Sequence, residues 1–208
     1  MLLSRIMLDS TKPKTMLALA SPNLFHGAIE SAFPGERTRK LWRIDTLHGQ
    51  RCLLILSEDA ADWSAVYAQF GINGVPAETK SYDPLLERIA AGNKWQFRLR
   101  ANPTIAAKQE GARGKVLAHI TTEYQMKWLA DRAEKHGFAL NPEEFIVTEC
   151  KWYSFRKGNR NHVRMLAVTY EGLLTVTDSE LFRQTLTQGI GREKAYGMGM
   201  LTVTTPRL

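Results

Sequence analysis

Cysteine is scarce in this 208-residue chain: there are two, Cys52 and Cys150, with no CxxC and no nearby pair of histidines at metal-ligand spacing. Neither a disulfide framework nor a zinc site is expected, no cofactor is implied, and a reducing cytoplasm is the expected location. Long apolar runs are also missing. Met1 to Asp9 is a short apolar stretch broken by Arg5, so neither a signal peptide nor a membrane anchor is expected. The phosphate-binding patterns GxxxxGK(S/T) and GxGxxG are absent. Acidic residues fall short of basic ones, 21 Asp and Glu against 28 Lys and Arg, giving a net charge of +7. That balance favours a polyanionic partner such as nucleic acid. Hydrophobic residues make up 44% of the chain, enough for a real core in one large or two small domains.

The hydrophobic pattern runs through the same order of elements twice. Leu2 to Leu8 reads as a strand. Ser21-Pro22 supplies an N-cap and a proline for the first helical position. Phe25, Ala28, Ile29 and Ala32 form the core-facing stripe of that helix, with His26 at its edge and Pro34-Gly35 as its stop. Trp42 to Asp45 and Cys52 to Leu56 read as a hairpin turning at His48-Gly49-Gln50. A short helix over Asp62 to Phe70 follows, then an irregular edge strand between Gly71 and Pro84. From Trp95 the pattern restarts, with Trp95, Phe97, Leu99 and Ala101 alternating with Gln96, Arg98 and Arg100. Lys108 to Lys115 reads as a basic loop. Thr122 and Gln125 read as the capping box of a helix running to Gly137, buried through Met126, Leu129, Ala130 and Ala133. Phe145 to Phe155 and His162 to Tyr170 form a second hairpin, and Leu173 to Thr177 continues it or adds a strand. Thr177 and Glu180 suggest a capping box for a helix over Leu181 to Gln188, Gly189 a left-handed cap, and Met200 to Thr204 a closing strand. The expectation is an α+β fold of two tandem βαββαβ units, residues 1–92 and 93–208.

Four groups of residues have the chemistry of a polyanion site. Gly189, Gly191, Gly197 and Gly199 surround Arg192 and Lys194, so a backbone able to approach phosphate closely lies beside two cations. A helix cap with a flexible exit is the plainer reading, and it accounts for Gly189 alone. Lys94, Arg98 and Arg100 share one strand face, two-residue steps placing them about 6.6 Å apart, suited to successive phosphates. Lys151, Arg156, Lys157 and Arg160 accompany Trp152, Tyr153 and Phe155 on the second hairpin, a mixture suited to phosphates and to stacking at the end of a stem. By alternation, at most one of Trp152 and Tyr153 meets RNA. Lys108, Arg113 and Lys115 form a further cationic patch, equally readable as a solvated loop. His26, taken alone, reads as a structural residue beside an apolar stripe, paired with Glu30 one turn on.

The segment GIGREKAYGMGMLTV resembles the glycine-rich signature near the C-terminus of the CasE-type CRISPR RNA-processing endoribonucleases. LLSRIML at the start, WQFRLRANP from Trp95 to Pro103, VTYEGLLTVTD from Val168 to Asp178 and the histidine of the first helix stand in the same order as in that family. The resemblance spans essentially the whole chain. It implies two ferredoxin-like (RRM-like) domains and metal-independent cleavage within the repeat hairpin of a CRISPR precursor transcript. It implies as well that the mature guide RNA is retained as part of the Cascade complex. His26 matches the family's catalytic histidine, and the reaction implied is attack by the ribose 2′-hydroxyl, leaving a 2′,3′-cyclic phosphate and a 5′-hydroxyl. Related enzymes commonly carry a tyrosine three residues earlier, where this chain has Asn23, which can hydrogen-bond a phosphate or sugar but cannot transfer a proton. Arg37, Arg39 and Lys40 are the cations available to stabilise transition-state charge. A catalytically impaired RNA-binding subunit of the same complex is the alternative.

Overall fold

The computed structural model describes every residue except 36–37, 110–111, 159–160 and 207–208, and every remaining side chain except those of 107–109, 112–115 and 161. The first half is built on β1 (Leu2–Met7), which is followed by helices α1 (Pro13–Ala20) and α2 (Asn23–Ser31). The hairpin β2 (Leu41–Leu47) and β3 (Gln50–Ser57), the helix α3 (Ser64–Phe70) and the strand β4 (Glu78–Ser81) complete it. The sheet is antiparallel, in the order β2-β3-β1-β4. Trp42, Leu53, Ile55 and Ile6 on one face of this sheet close over Phe25, Ala28 and Ile29 of α2 and Val66 and Phe70 of α3.

Sequence reasoning expected one helix before the hairpin, and the structure has two. Pro13 starts α1, but its eight residues leave Met16 and Leu17 half-exposed, so it carries almost no apolar stripe to betray it. Ser21 is the C-cap of α1, its N–H donating to the Leu17 carbonyl, and no side chain caps α2. A short helix, α4 (Asp83–Glu87), leads out of the first sheet and was not anticipated.

The second half comprises β5 (Lys94–Ala101), β6 (Thr104–Gln109), β7 (Ala112–Ala118), α5 (Thr122–Ala133), β8 (Phe138–Ala139) and β9 (Phe145–Lys157). After these come β10 (Asn161–Val176), α6 (Ser179–Gln188) and β11 (Leu201–Thr204). Its main sheet runs β11-β5-β10, and both β9 and β8 pair with β10. With the two-residue β8 set aside, last, first, third and second strands follow one another in both sheets, the arrangement of tandem ferredoxin-like units. The expected basic loop is instead the hairpin β6–β7, registered from Thr104 with Ala118 inward. Leu173 to Val176 is no separate strand, because β10 runs unbroken past Gly172. Both expected capping boxes are displaced by one residue: Thr121 caps α5 and Asp178 caps α6. That phase leaves Ala130 exposed and puts Gln125 and Trp128 in the core, where Gln125 donates to the His119 and Ile120 carbonyls.

Leu41, Cys52, Leu54, Leu56 and Tyr82 of the first half share one apolar cluster with Trp95, Phe97, Leu99, Leu201 and Val203 of the second. The halves thus meet through core, and at its margin through a buried polar group. Arg43, 2% exposed, donates to the carbonyls of Arg98 (2.9 Å) and Met200 (3.0 Å), to Thr202 Oγ1 (2.8 Å) and to Asp45 Oδ2 (2.6 Å).

Candidate nucleic-acid interface

Phe25, Ala28 and Ile29 fix the rotation of α2, and this leaves His26 at the edge of the buried stripe with 32% of its side chain open. Its Nδ1 lies 3.9 Å from Glu30 Oε1, and the other Glu30 oxygen lies 3.6 Å from Lys40 Nζ. Lys40, expected as an RNA contact, is buried: it donates to the Thr38 carbonyl at 3.1 Å and sits 4.4 Å from the Phe33 ring centroid. Its charge is spent within the protein, on Glu30. Asn23 opens α2 with its Oδ1 buried and without a hydrogen-bond partner among the described residues. Arg39 is exposed, and Arg37 lies outside the described residues.

The glycine-rich segment folds back on itself after α6. Ile190 N–H donates to the Gly199 carbonyl, Gly199 N–H to the Arg100 carbonyl of β5, and Lys194–Tyr196 forms a single 3-10 turn between them. That turn packs against α2 and β2. The glycines answer to this packing. Gly197 has φ +78°, and a Cβ there would come within 2.7 Å of the Trp42 ring; one on Gly199 would meet the Ile190 carbonyl at 2.6 Å. The N–H groups of Gly189, Gly197 and Gly199 are already donated to the Thr185, Lys194 and Arg100 carbonyls. The expected cradle of glycine amides is corrected accordingly: the segment carries cations, Lys194 and the exposed Arg192, on a backbone bent by protein packing, with Gly191 against Trp128. Nor is Gly189 a left-handed helical cap, for its φ of 73° comes with an extended ψ of 166°. Burial lowers the Lys194 pKa from its ordinary value, and the neighbouring Arg39 guanidinium lowers it further.

Lys94, Arg98 and Arg100 are not an open row of cations. Lys94 pairs with Glu144 at 3.1 Å, Arg98 bridges Asp45 and Glu171, and Arg100 reaches Glu149 (3.4 Å) and the Tyr153 hydroxyl (3.3 Å). Arg98 and Arg100 line a cleft of about 530 Å³ between the sheets together with Arg43, Glu149 and Lys151. Burial raises the Asp45 pKa, but the Arg43 and Arg98 guanidiniums outweigh it and hold the carboxyl below its usual range. Sequence reasoning missed Arg43 and Asp45 as a pair. The signal was there, two opposite charges two residues apart on one face of an apolar strand.

On the β9–β10 ribbon Tyr153 and Phe155 are buried with Met165, Ala167, Tyr196 and Met198, so the ribbon and the glycine-rich segment share a small core. Trp152 faces the other way, 44% exposed, with the Arg164 guanidinium 4.6 Å from its ring. Lys151 lies 4.7 Å from the Tyr153 ring, and Arg156 and Lys157 are exposed. Arg160 and the side chains of Lys108, Arg113 and Lys115 lie outside the described residues. The arrangement can dock a polyanion against Lys194, Arg192 and Arg39 with an imidazole, a group that exchanges protons near neutral pH, on the adjoining helix. Among the described residues no cluster of His, Cys, Asp and Glu suits a metal ion, and no helix is long and apolar enough to cross a membrane.

A family model described as CRISPR associated protein matches residues 1–205. The CRISPR-associated endoribonuclease Cse3 of Thermus thermophilus is 32% identical over 221 aligned positions, which cover 98% of this chain and 99% of that protein. The structure of a CRISPR endoribonuclease Cse3 bound to a 19-nucleotide RNA superposes with a TM-score of 0.81 at 28% identity, covering 98% of this chain and 100% of the other. Thermus thermophilus Cse3 bound to an RNA representing a pre-cleavage complex gives 0.79, again at 28% identity, with 98% of each chain covered.

Proposed function

This chain belongs to the CRISPR-associated protein family, and on that premise we propose that it is an endoribonuclease that cuts CRISPR precursor RNA within the repeat hairpin. The matured guide RNA stays bound, and the protein serves as a subunit of the Cascade complex in the cytoplasm. The observation that carries this reading is the packing of the Lys194–Tyr196 turn onto α2, which sets the cationic segment of the second half beside the helix bearing His26. The two halves, residues 1–92 and 93–208, then act as domains that contribute one part each to a single site.

Cleavage proceeds without metal. The ribose 2′-hydroxyl attacks the adjacent phosphate, leaving a 2′,3′-cyclic phosphate and a 5′-hydroxyl. His26 exchanges a proton with one of the reacting oxygens, and Lys194 and Arg39 place positive charge where the phosphorane becomes more negative. Arg192, Lys151, Arg156 and Lys157 hold the backbone of the RNA. The protein is tested by mixing it with the repeat RNA of its own locus in EDTA. The expected product is a single cut ending in a cyclic phosphate, lost in His26→Ala with binding retained and lost with a 2′-deoxy sugar 5′ to the scissile phosphate. Cleavage that survives His26→Ala removes the histidine from the mechanism. Asn23 supports a second reading, a catalytically impaired RNA-binding subunit, because an amide with a buried Oδ1 supplies no proton. Tight binding with no cut by the unaltered protein is the outcome that selects it.

A further inference from the structure

Glu30 lies one helical turn beyond His26 on the same face of α2, and its two carboxylate oxygens have different neighbours. Oε1 is 3.9 Å from His26 Nδ1, and Oε2 is 3.6 Å from Nζ of Lys40, whose side chain is 2% exposed. Lys40 is fixed in turn by the Thr38 carbonyl at 3.1 Å and by the Phe33 ring. Helix stability does not call for a carboxylate here. Glu30 stands in the last turn of α2, where the helix dipole opposes negative charge. Neutralising Lys40 accounts for Oε2 but gives no reason for Oε1 to approach the imidazole.

We propose that Glu30 is a positioning residue for RNA cleavage, holding the His26 ring by Nδ1 so that Nε2 exchanges the proton, with Lys40 anchoring the carboxylate. The inference rests on the RNA-processing reading and adds a residue to it. Glu30 takes no proton itself. It aligns the imidazole and stabilises the imidazolium, which forms when Nε2 takes the 2′-hydroxyl proton or is discharged when Nε2 gives one to the departing 5′-oxygen. The separation of 3.9 Å exceeds a hydrogen bond. A charged ring with RNA in place is what closes it, catalytic hydrogen bonds being commonly long before substrate binds. Lys194 of the 3-10 turn packed on α2, and Arg39 and Lys40 of the segment before β2, oppose an imidazolium, and Glu30 offsets them. Glu193 precedes that turn. The loop leading to α3 carries Asp59, bound by the Thr38 hydroxyl, and Asp62, bound by the Ser64 N–H. On α1 and α3, which also pack on α2, stand the exposed Lys14 and Tyr67, whose hydroxyl accepts the Gly74 N–H.

The protein has five histidines, and the ring-proton signals of His26 are assigned by their loss in His26→Ala. In an NMR titration of the RNA-free protein, Glu30→Gln should lower the His26 midpoint by about one pH unit, the low end of what an opposite charge at this distance does. The amide keeps the shape and loses the charge. Lys40→Met should move the midpoint the other way, because the carboxylate is then left to the imidazole. Glu30→Gln strands a buried ammonium, so the double variant Glu30→Gln/Lys40→Met removes both charges, and its midpoint should lie below that of Lys40→Met. Single-turnover cleavage of saturating repeat RNA should slow roughly 10- to 100-fold in Glu30→Gln, with its pH–rate limb moving down alongside the midpoint and RNA affinity retained. A midpoint that stays in place in both Glu30 variants overturns the inference. So does a midpoint that moves while rate and limb do not, or a loss confined to affinity. If the unaltered protein cuts and His26→Ala does not, any of these results fells the inference alone. A protein that leaves the repeat RNA uncut overturns the processing reading and, with it, the role given to Glu30.

Discussion

Asp45 shows how one carboxylate is made to matter to stability. It is 8% exposed, accepts from Arg43 and Arg98, and takes the Thr46 N–H. Its pKa is lowered because the two guanidiniums outweigh the cost of burial. A carboxyl whose folded pKa lies below its unfolded value, about 3.9 for Asp, contributes stability that is complete above that value and is lost as pH falls through the folded one. Urea unfolding followed from neutral pH downward should therefore show stability falling below about pH 4. In Asp45→Asn the neutral-pH stability should be lower and the acid loss shallower. An acid limb of unchanged slope in that variant would show that other carboxylates govern it.

At the scale of elements, the glycine-rich segment yields a contrast between two glycines of similar backbone and different surroundings. Gly197 and Gly158 have φ of +78° and +63°, but a Cβ on Gly197 strikes Trp42 whereas one on Gly158 meets nothing within 4 Å. Gly158→Ala should cost about 1 kcal/mol, the strain of a left-handed alanine. Gly197→Ala adds a clash of roughly 1–3 kcal/mol, visible as a lower urea midpoint, and should also reduce cleavage by shifting the Lys194 turn off α2. The strands and the ribbon were legible in the sequence because alternation and turn residues are local. Helix α1 was not, since a short helix with half-exposed Met16 and Leu17 has little periodicity to read. The glycines were misassigned for a different reason. What demands Gly197 and Gly191 is Trp42 and Trp128, far away in sequence, and no local pattern names those neighbours.

Over the whole molecule, the excess of seven positive charges is unevenly available. Arg98, Arg100 and Lys94 looked like the best row of phosphate contacts by alternation, yet Asp45, Glu171, Glu149 and Glu144 neutralise them from other strands and loops. His26 was legible as a candidate only through the order of motifs around it, for its own neighbours read as an ordinary amphipathic helix. Among the described residues, the cations proposed for RNA are Arg39 and those of the glycine-rich segment and the ribbon. Affinity should therefore fall linearly on a log–log plot against salt, with a slope of roughly 0.7–0.9 per phosphate neutralised. Arg192→Gln or Lys157→Gln should each lower that slope by about one unit, whereas Lys94→Gln should leave it nearly unchanged. Filter binding across a salt series distinguishes the two results.

Three of the four hydrogen bonds of the buried Arg43 side chain reach from the first sheet to β5, to β11 and to Met200 just before β11. A hinge between the halves would have to break them together and strand a charge, so this seam resists opening like the pinned pivot of a caliper. On the RNA-processing reading proposed above, its jaws, α2 in one half and the ribbon in the other, hold their spacing before any RNA arrives, and a transcript is measured against a fixed gauge.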